Sequence, residues 1–117
     1  ISFDRSHLHR VLVNLVANAL RYASDTPGAV RVEARTGPVG KAEVHVLDDG
    51  PGVTEDDQVK IFEPFFTTRG SGTGLGLYIA KELCDSNDAD LDLVRGCGES
   101  SGAHFRIVAR SKHVRQD

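Results

Sequence analysis

The spacing of the apolar residues changes along this chain, and this pattern constrains the fold more than any other feature of the sequence. From Asp4 to about Ala23, apolar residues recur at the three- and four-residue spacing of one helix face, with Asp4 as the expected N-cap. Residues 30–35 and 42–46 instead alternate apolar and polar side chains, as half-buried strands do. The first part of the chain is therefore predicted to form a helix followed by a β-hairpin.

The second part of the chain is predicted to form two helices followed by two strands. Helices are predicted at about residues 55–62 and 75–85, and alternating runs at 90–93 and 103–109 predict two further strands. Helices and strands in this order favour an α+β fold, in which a two-layer sandwich has helices on one face of a sheet.

Composition and charge exclude several classes of function. The chain has 117 residues, which suits one compact domain, and its net charge is −3, from 14 basic and 17 acidic residues. There is no basic stripe, so nucleic acid is not expected as a partner, and a bound anion must be held by local geometry. Cys84 and Cys97 lack the CxxC spacing of metal and redox motifs and are expected to be free thiols. No apolar run approaches the roughly 18 residues that span a membrane.

Polar residues follow one edge of the first predicted helix. Asn14 and Asn18 are one turn apart, with Arg21 and Tyr22 one turn further on. Asparagine is unfavourable inside a helix, so two of them in this position indicate a use. An amide oxygen is a suitable ligand for Mg²⁺, and Arg21 could bind a phosphate. Taken alone, the pair favours a polar helix edge that faces water, and only the motifs that follow it in the chain favour the metal site.

An acidic and glycine-containing turn ends the second predicted strand. The carboxylate of Asp48 accepts hydrogen bonds only, so it could bind the exocyclic amine that distinguishes adenine from guanine. Gly50 and Gly52 would let a flat base approach the backbone closely. Asp, Gly and Pro also form ordinary turns, and this motif alone does not separate the two possibilities.

Glycines at every second position lead directly into the helix predicted from residue 75. They are Gly70, Gly72, Gly74 and Gly76. Backbone N–H groups at a helix N-terminus bind anions, which favours a polyphosphate site over a flexible linker. Further donors nearby are Thr67, Thr68, Arg69 and Thr73. No lysine follows as in a P-loop, and no GxGxxG spacing occurs here, so a Rossmann site and a protein-kinase glycine loop are disfavoured.

Together these segments resemble the catalytic ATP-binding domain of sensor histidine kinases, within the gyrase, Hsp90, histidine kinase and MutL superfamily. Five sequence boxes of the family have counterparts here. They are the N box at residues 14–22, the first glycine box at 48–52, the F box at 62–66, the second glycine box at 72–77 and the glycine-threonine box at 102–105. The resemblance covers about Phe3 to Ala109, and the runs at 65–69 and 77–84 are most similar to nitrogen-regulation and PilS-like type IV pilus sensor kinases. It implies the Bergerat ATP-binding fold, with a mixed five-stranded sheet and three helices on one face.

The resemblance also implies a role for each box. Asn18, helped by Asn14, would hold Mg²⁺, Arg21 and Tyr22 would contact the phosphates or ribose, and Asp48 would bind the adenine amine. Residues 67–77 would form a lid over the phosphates. The full set of residues expected to bind ATP is Asn14, Asn18, Arg21, Tyr22, Asp48, Gly50, Gly52, Val53, Phe66, Thr67, Thr68, Arg69, Gly70, Gly72, Thr73, Gly74, Leu75, Gly76 and Leu77.

Some family features are absent from this sequence. The superfamily's hydrolases place a glutamate base where this chain has Asn14, and an amide cannot take a proton from water, so efficient ATP hydrolysis is not expected. His7 lacks the acidic residue and proline of the phosphoacceptor box. Residues 87–89 replace a common His-Gly-Gly motif, and Ala103 replaces the usual threonine. Asn14 favours a kinase module over a true ATPase. A regulatory module with weak or no nucleotide binding is a third alternative, which residues 87–89 favour and the intact boxes disfavour.

The resemblance finally implies where such a domain works. Residues 1–117 are expected to form a single domain without the sensor and phosphoacceptor domains. Its partners would be the kinase's own dimerisation domain and, through the full-length protein, a response regulator. The fragment is expected to be a monomeric, cytoplasmic part of a protein in the bacterial inner membrane.

Overall fold

A computed structural model describes residues 3–67, 72–94 and 102–110. The helices and strands are α1 (Arg5–Tyr22), β1 (Val30–Thr36), β2 (Ala42–Asp48), α2 (Glu55–Gln58), α3 (Gly76–Ser86), β3 (Ala89–Leu93) and β4 (His104–Ala109). The predicted α+β class is confirmed. Within these described ranges, no helix is long and apolar enough to cross a membrane.

The sheet differs from the expected mixed five-stranded sheet. In the described part of the chain it has four strands in the order β1-β2-β4-β3, and every neighbouring pair is antiparallel. The expected strand count and the expected mixture of directions were therefore wrong. The hairpin loop at residues 37–41 is short, and a connection of this length permits only antiparallel pairing, because parallel strands need a crossover of a dozen or more residues.

The two long helices form where the sequence predicts them. Asp4 caps α1, because its carboxylate accepts hydrogen bonds from the backbone N–H groups of Ser6 and His7 at 2.9 and 3.0 Å. The helix predicted at 55–62 is shorter than expected, since α2 ends at Gln58. Beyond it the chain continues in turns, in which Val59 is 78% exposed while Ile61 is buried in the core.

The core lies between α1, α3 and one face of the sheet. Its fully buried side chains include Val11 and Leu15 of α1, Cys84 of α3, and Leu91 of β3. On β2, Val44, Val46 and Asp48 alternate with residues of the opposite face of the sheet, so Asp48 lies on the same face as the core. This register places a carboxylate at the end of the apolar core, beside the C-terminal half of α1.

Candidate functional site

A cavity of about 250 Å³ lies between α1, the end of β2 and the start of α3. Its charged side chains come from α1 and β2, and its other polar and apolar residues come from α1, the β-sheet, the segments on either side of α2 and the start of α3. The lining residues are Asn14, Ala17, Asn18, Arg21, Tyr22, Asp48, Gly52, Val53, Ile61, Phe66, Thr67, Thr73, Gly74, Gly76, Leu77, Ala103 and Phe105.

The two asparagines of α1 face this cavity one helical turn apart, and both are half-buried. The amide nitrogen of Asn14 donates a hydrogen bond to the carbonyl oxygen of Gly76 at 3.2 Å. This contact joins α1 to the first residue of α3 and fixes the orientation of the Asn14 amide. The amide oxygen, which is the atom a hard cation would bind, is not used in this contact.

Asp48 is the buried carboxylate of the cavity, with 4% of its surface exposed. Its Oδ1 accepts hydrogen bonds from the backbone N–H groups of Gly50 at 2.8 Å and Ala103 at 3.2 Å, and its own N–H donates to the Ala103 carbonyl at 3.0 Å. Burial raises the pKa of Asp48 above its ordinary value of 3.8, although the two backbone hydrogen bonds act in the opposite direction. A carboxylate held in this way can recognise a donor such as an exocyclic amine.

The backbone beside Asp48 requires glycine at position 102. A Cβ atom there would overlap the carbonyl oxygen of Asp48 and lie 2.5 Å from its Oδ1. Gly102 therefore allows the start of β4 to approach the carboxylate closely enough for the two backbone contacts of Ala103.

The glycine-containing segment before α3 is fixed at its C-terminal end. Gly74 has a φ of +73°, and its carbonyl oxygen accepts a hydrogen bond from the N–H of Phe65 at 2.8 Å. A Cβ at this position would lie 2.5 Å from the backbone of Phe65. Leu75 is the N-cap residue of α3, and among the described residues no side chain caps this N-terminus.

Asn87, the first residue that departs from the His-Gly-Gly motif, has a structural use. Its Oδ1 accepts a hydrogen bond from the N–H of Asp4 at 2.8 Å, and its Nδ2 donates to the Leu83 carbonyl at 2.7 Å. The same nitrogen lies 3.0 Å from Nδ1 of His7. Asn87 therefore joins the end of α3 to the beginning of α1, away from the cavity.

A family model described as "Histidine kinase-, DNA gyrase B-, and HSP90-like ATPase" matches residues 3–113. The chain belongs to this family. The chain is an ATP-binding domain of the kind found in sensor histidine kinases, and the resemblance noted in the sequence is confirmed.

Curated relatives support the same assignment. The chain is 46% identical over 108 residues to the sensor protein kinase PilS of Pseudomonas aeruginosa, which covers 90% of this chain and 20% of PilS. It is 35% identical over 108 residues to the histidine-protein kinase AtoS of Escherichia coli, covering 92% of this chain and 17% of AtoS. The chain thus spans about a fifth of the length of these relatives, and the similarity to PilS-like kinases is confirmed.

Solved histidine kinases share the fold. The mycobacterial sensor histidine kinase MprB superposes with a TM-score of 0.77 at 30% identity, over 91% of this chain and 71% of that one. Full-length ShkA, solved in complex with AMPPNP, superposes with a TM-score of 0.74 at 31% identity, over 91% of this chain and 22% of ShkA.

The structure brings most of the predicted residues of this ATP-binding domain to one cavity. Among the described residues, Gly50, Gly72 and Leu75 do not line it: Gly50 lies behind Asp48, Gly72 lies against the Arg21 guanidinium, and Leu75 precedes α3. Thr68, Arg69 and Gly70 lie outside the described residues. The predicted residues that do line it are Asn14, Asn18, Arg21, Tyr22, Asp48, Gly52, Val53, Phe66, Thr67, Thr73, Gly74, Gly76 and Leu77.

Sequence reasoning missed four residues of the cavity wall, namely Ala17, Ile61, Ala103 and Phe105. The alternation predicted for residues 103–109 contained a signal for two of them, because Ala103, directly before β4, and Phe105 of β4 both contribute to the core. Ala17 could have been predicted to line the cavity, because it lies between the two asparagines of α1. Ile61 gave no such signal, since it lies in the irregular segment after α2.

Proposed function

We propose that this domain binds Mg-ATP and presents the γ-phosphate to a histidine on a separate domain of a two-component sensor kinase. The observation that carries the proposal is the composition of one cavity, which has a buried carboxylate at the end of β2 and polar residues along α1. The adenine amine would donate to Asp48, and the phosphates would extend toward Asn18 and Arg21.

The charges around the cavity favour ATP together with a divalent cation. Arg21 is the single cationic side chain among the described lining residues, and the chain as a whole is negative. One guanidinium cannot balance a triphosphate, so Mg²⁺ would supply the remaining positive charge. In the described ranges, no group of three or more His, Cys, Asp or Glu side chains could hold a metal ion. Asn18 and Asn14 would therefore bind Mg²⁺ through amide oxygens, with phosphate oxygens and water completing its shell.

The residues of the cavity suit phosphoryl transfer better than hydrolysis. Asn14 cannot act as a general base toward water, so the domain would hold ATP without activating a hydrolytic nucleophile. Binding and orientation would then be its main contributions to catalysis. None of the four described histidines lines the cavity, and His45 is buried against Glu43 and His104 on the other face of the sheet. The acceptor histidine would come from another domain.

The wider setting follows from the sensor kinases that this chain resembles. We propose that residues 1–117 act as a single monomeric domain, which docks on the kinase's own histidine-bearing dimerisation domain. The full-length protein would pass the phosphoryl group to a response regulator. The parent protein would lie in the bacterial inner membrane, with this domain in the cytoplasm.

Calorimetric titration of the chain with a non-hydrolysable ATP analogue tests nucleotide binding, with and without Mg²⁺. We expect Mg-dependent binding, weakened by about 1.5–3 kcal/mol or more in Asp48→Asn, because the substituted amide can present a donor to the adenine amine in place of a charged acceptor. Asp92→Asn is the matched control, since it removes a half-exposed carboxylate paired with Arg106 at 3.6 Å, remote from the cavity. No heat at millimolar analogue would contradict the proposal.

Phosphotransfer is tested separately by adding a histidine-bearing dimerisation domain from a PilS-like kinase, with γ-labelled ATP. We expect acid-labile label on that domain, and none when its acceptor histidine is replaced by alanine. Binding of the analogue without any transfer would leave an ATP-binding module and reject the kinase assignment.

A further inference from the structure

The last turn of α1 carries the exposed Arg21 and the half-buried Tyr22, and the buried apolar face of the helix ends before it. Ala19 is the last buried residue of the helix, Leu20 is 64% exposed, and Arg21 is exposed. The helix ends without a glycine cap, because the C-cap residue Ala23 is extended, with a φ of −75° and a ψ of 158°. A helix end of this kind frays unless other groups hold it.

Asp49 holds the chain directly after this turn. Its Oδ1 accepts a hydrogen bond from the backbone N–H of Ser24 at 2.8 Å, and its Oδ2 accepts one from the Ser24 hydroxyl at 2.5 Å. The N–H of Asp49 donates to the Ala29 carbonyl at 3.0 Å, which fixes the Asp49 backbone from the other side. Both carboxylate oxygens of one residue are therefore used on Ser24.

The helix dipole does not explain a negative group at this place. A carboxylate near a helix C-terminus faces the partial negative charge of the last carbonyl groups, which is unfavourable. The hydrogen bonds from Ser24 offset that cost, and they hold the pKa of Asp49 below its ordinary value of 3.8. The position of the Asp49 carboxylate is thus better explained by its specific contacts with Ser24 than by a general stabilisation of the helix.

Asp49 is also directly linked to the part of the cavity where Asp48 would bind adenine. Asp49 follows Asp48 in the chain, and Asp48 is fixed independently by the N–H groups of Gly50 and Ala103. The backbone of Gly50 also passes close beneath the end of α1, since a Cβ there would lie 2.6 Å from the Tyr22 carbonyl oxygen. Asp49 therefore connects the carboxylate that would bind the base to the turn that would contact the phosphates.

We infer that Asp49 is a positioning residue, which holds the Arg21–Tyr22 turn of α1 at a fixed distance from Asp48 so that one nucleotide can contact both. This inference rests on the proposed nucleotide-binding function. Without the Asp49 carboxylate, Asp48 keeps its own contacts while the chain directly after α1 loses two hydrogen bonds. Binding of the triphosphate is then weakened, and binding of the adenine base alone is retained.

The test compares two ligands on the 117-residue chain. Affinity for the Mg-bound non-hydrolysable ATP analogue is measured by calorimetry, and affinity for adenine by NMR chemical-shift titration. Asp49→Ala removes two hydrogen bonds to a charged acceptor, so we expect analogue affinity to fall about tenfold. Adenine affinity should change by less than about twofold, because no hydrogen bond to Asp48 is lost. Asp49→Asn retains one acceptor oxygen for Ser24 and should give an intermediate loss.

Asp4→Ala is the matched control, since it removes a carboxylate that accepts two backbone N–H groups at the opposite end of the same helix. It should lower thermal stability without altering the ratio of the two affinities. All titrations are made well below each variant's unfolding midpoint, as measured by circular dichroism, so that loss of folded protein does not enter the ratio.

Three outcomes would overturn the inference. In the first, the affinity of Asp49→Ala for the analogue and its affinity for adenine fall by the same factor. In the second, neither affinity changes. The third is an equal change of the ratio in Asp4→Ala, which would make the effect one of helix stability alone. In each of these cases the wild-type chain still binds the analogue, so the proposed function stands. A wild-type chain that binds neither ligand would instead reject the proposed function, and this inference with it.

Discussion

Gly102 offers the sharpest test of how the cavity is built. In Gly102→Ala the new Cβ would lie 2.5 Å from Oδ1 of Asp48, where ordinary van der Waals contacts are 3.4–4 Å. The backbone must therefore move by about 1 Å, because packed interiors do not absorb such an overlap. That movement lengthens the 3.2 Å bond from the Ala103 N–H to Oδ1 and strains the reciprocal bond from the Asp48 N–H to the Ala103 carbonyl.

The magnitude follows from the two contacts. One is a hydrogen bond to a charged acceptor, worth about 1.5–3 kcal/mol, and the other joins two backbone groups and is worth about 0.5–1.5 kcal/mol. We expect Gly102→Ala to lower the free energy of unfolding by about 2–4 kcal/mol, measured by urea denaturation with linear extrapolation. Affinity for the Mg-bound ATP analogue should fall in the same variant, because Asp48 is displaced.

A matched alanine substitution separates the overlap from the general effect of losing a glycine. Gly76 begins α3, and a Cβ there meets no atom within 4 Å, so Gly76→Ala should leave stability unchanged or raise it by up to about 1 kcal/mol. If Gly102→Ala were as stable as the wild type and bound the analogue equally well, the close approach of β4 to Asp48 would not matter and the reasoning would be refuted.

Three further predictions concern Asp48, Cys84 and Asn87. Burial raises the pKa of Asp48, so the ionised carboxylate destabilises the unliganded fold, and Asp48→Asn should be more stable than the wild type at neutral pH. This difference in unfolding free energy should shrink as the pH falls through the raised pKa toward 3.8, and urea denaturation at a series of pH values would measure it. Burial also raises the pKa of Cys84 to about 11, so peptide mapping should find Cys84 alkylated at least ~100-fold more slowly at pH 8 in the folded than in the unfolded chain; equal rates would contradict its burial. Asn87→Ala should cost about 1–3 kcal/mol of unfolding free energy through its lost contacts, with analogue affinity unchanged by calorimetry, and a matching loss of affinity would place Asn87 in the site after all.

The parts of the fold that the sequence predicted are those with a local cause. The apolar stripe of α1 and its N-cap at Asp4 depend on residues within a few positions of one another, as do the alternating strands. The length of α2 could not be read in this way, because Thr54 and the acidic first turn indicate where the helix starts, whereas its end depends on how the residues after Gln58 pack on the rest of the fold. Sheet order also depends on contacts between distant strands, which periodicity does not encode.

The same distinction holds for the site. Motif spacing brought the α1 asparagines and Asp48 together correctly, since a register of alternating residues places Asp48 on the inward face. The side chains that hold the cavity in shape were not predictable. Asn87 was noted only as a departure from the family pattern, yet its partner Asp4 is 83 residues away. Asp49 looked like part of a turn, although both of its carboxylate oxygens accept hydrogen bonds from Ser24, which follows α1.

Asn14 occupies a motif position in the cavity and also holds α1 to α3 through its hydrogen bond to Gly76. Both roles must be considered when its chemistry is tested. Asn14→Glu supplies the general base that superfamily hydrolases have, and a positioned base contributes about 10²–10⁴-fold to a rate. The same change replaces the donor that binds the Gly76 carbonyl with a carboxylate, which cannot donate and which would also lie near the triphosphate. Weaker ATP binding could therefore hide faster chemistry in a steady-state assay. We expect single-turnover hydrolysis of bound ATP to rise at least about tenfold in Asn14→Glu while overall affinity falls, with Asn14→Gln as the control that lengthens the side chain without adding a base. An unchanged single-turnover rate would mean that the missing carboxylate is not what limits hydrolysis in this domain.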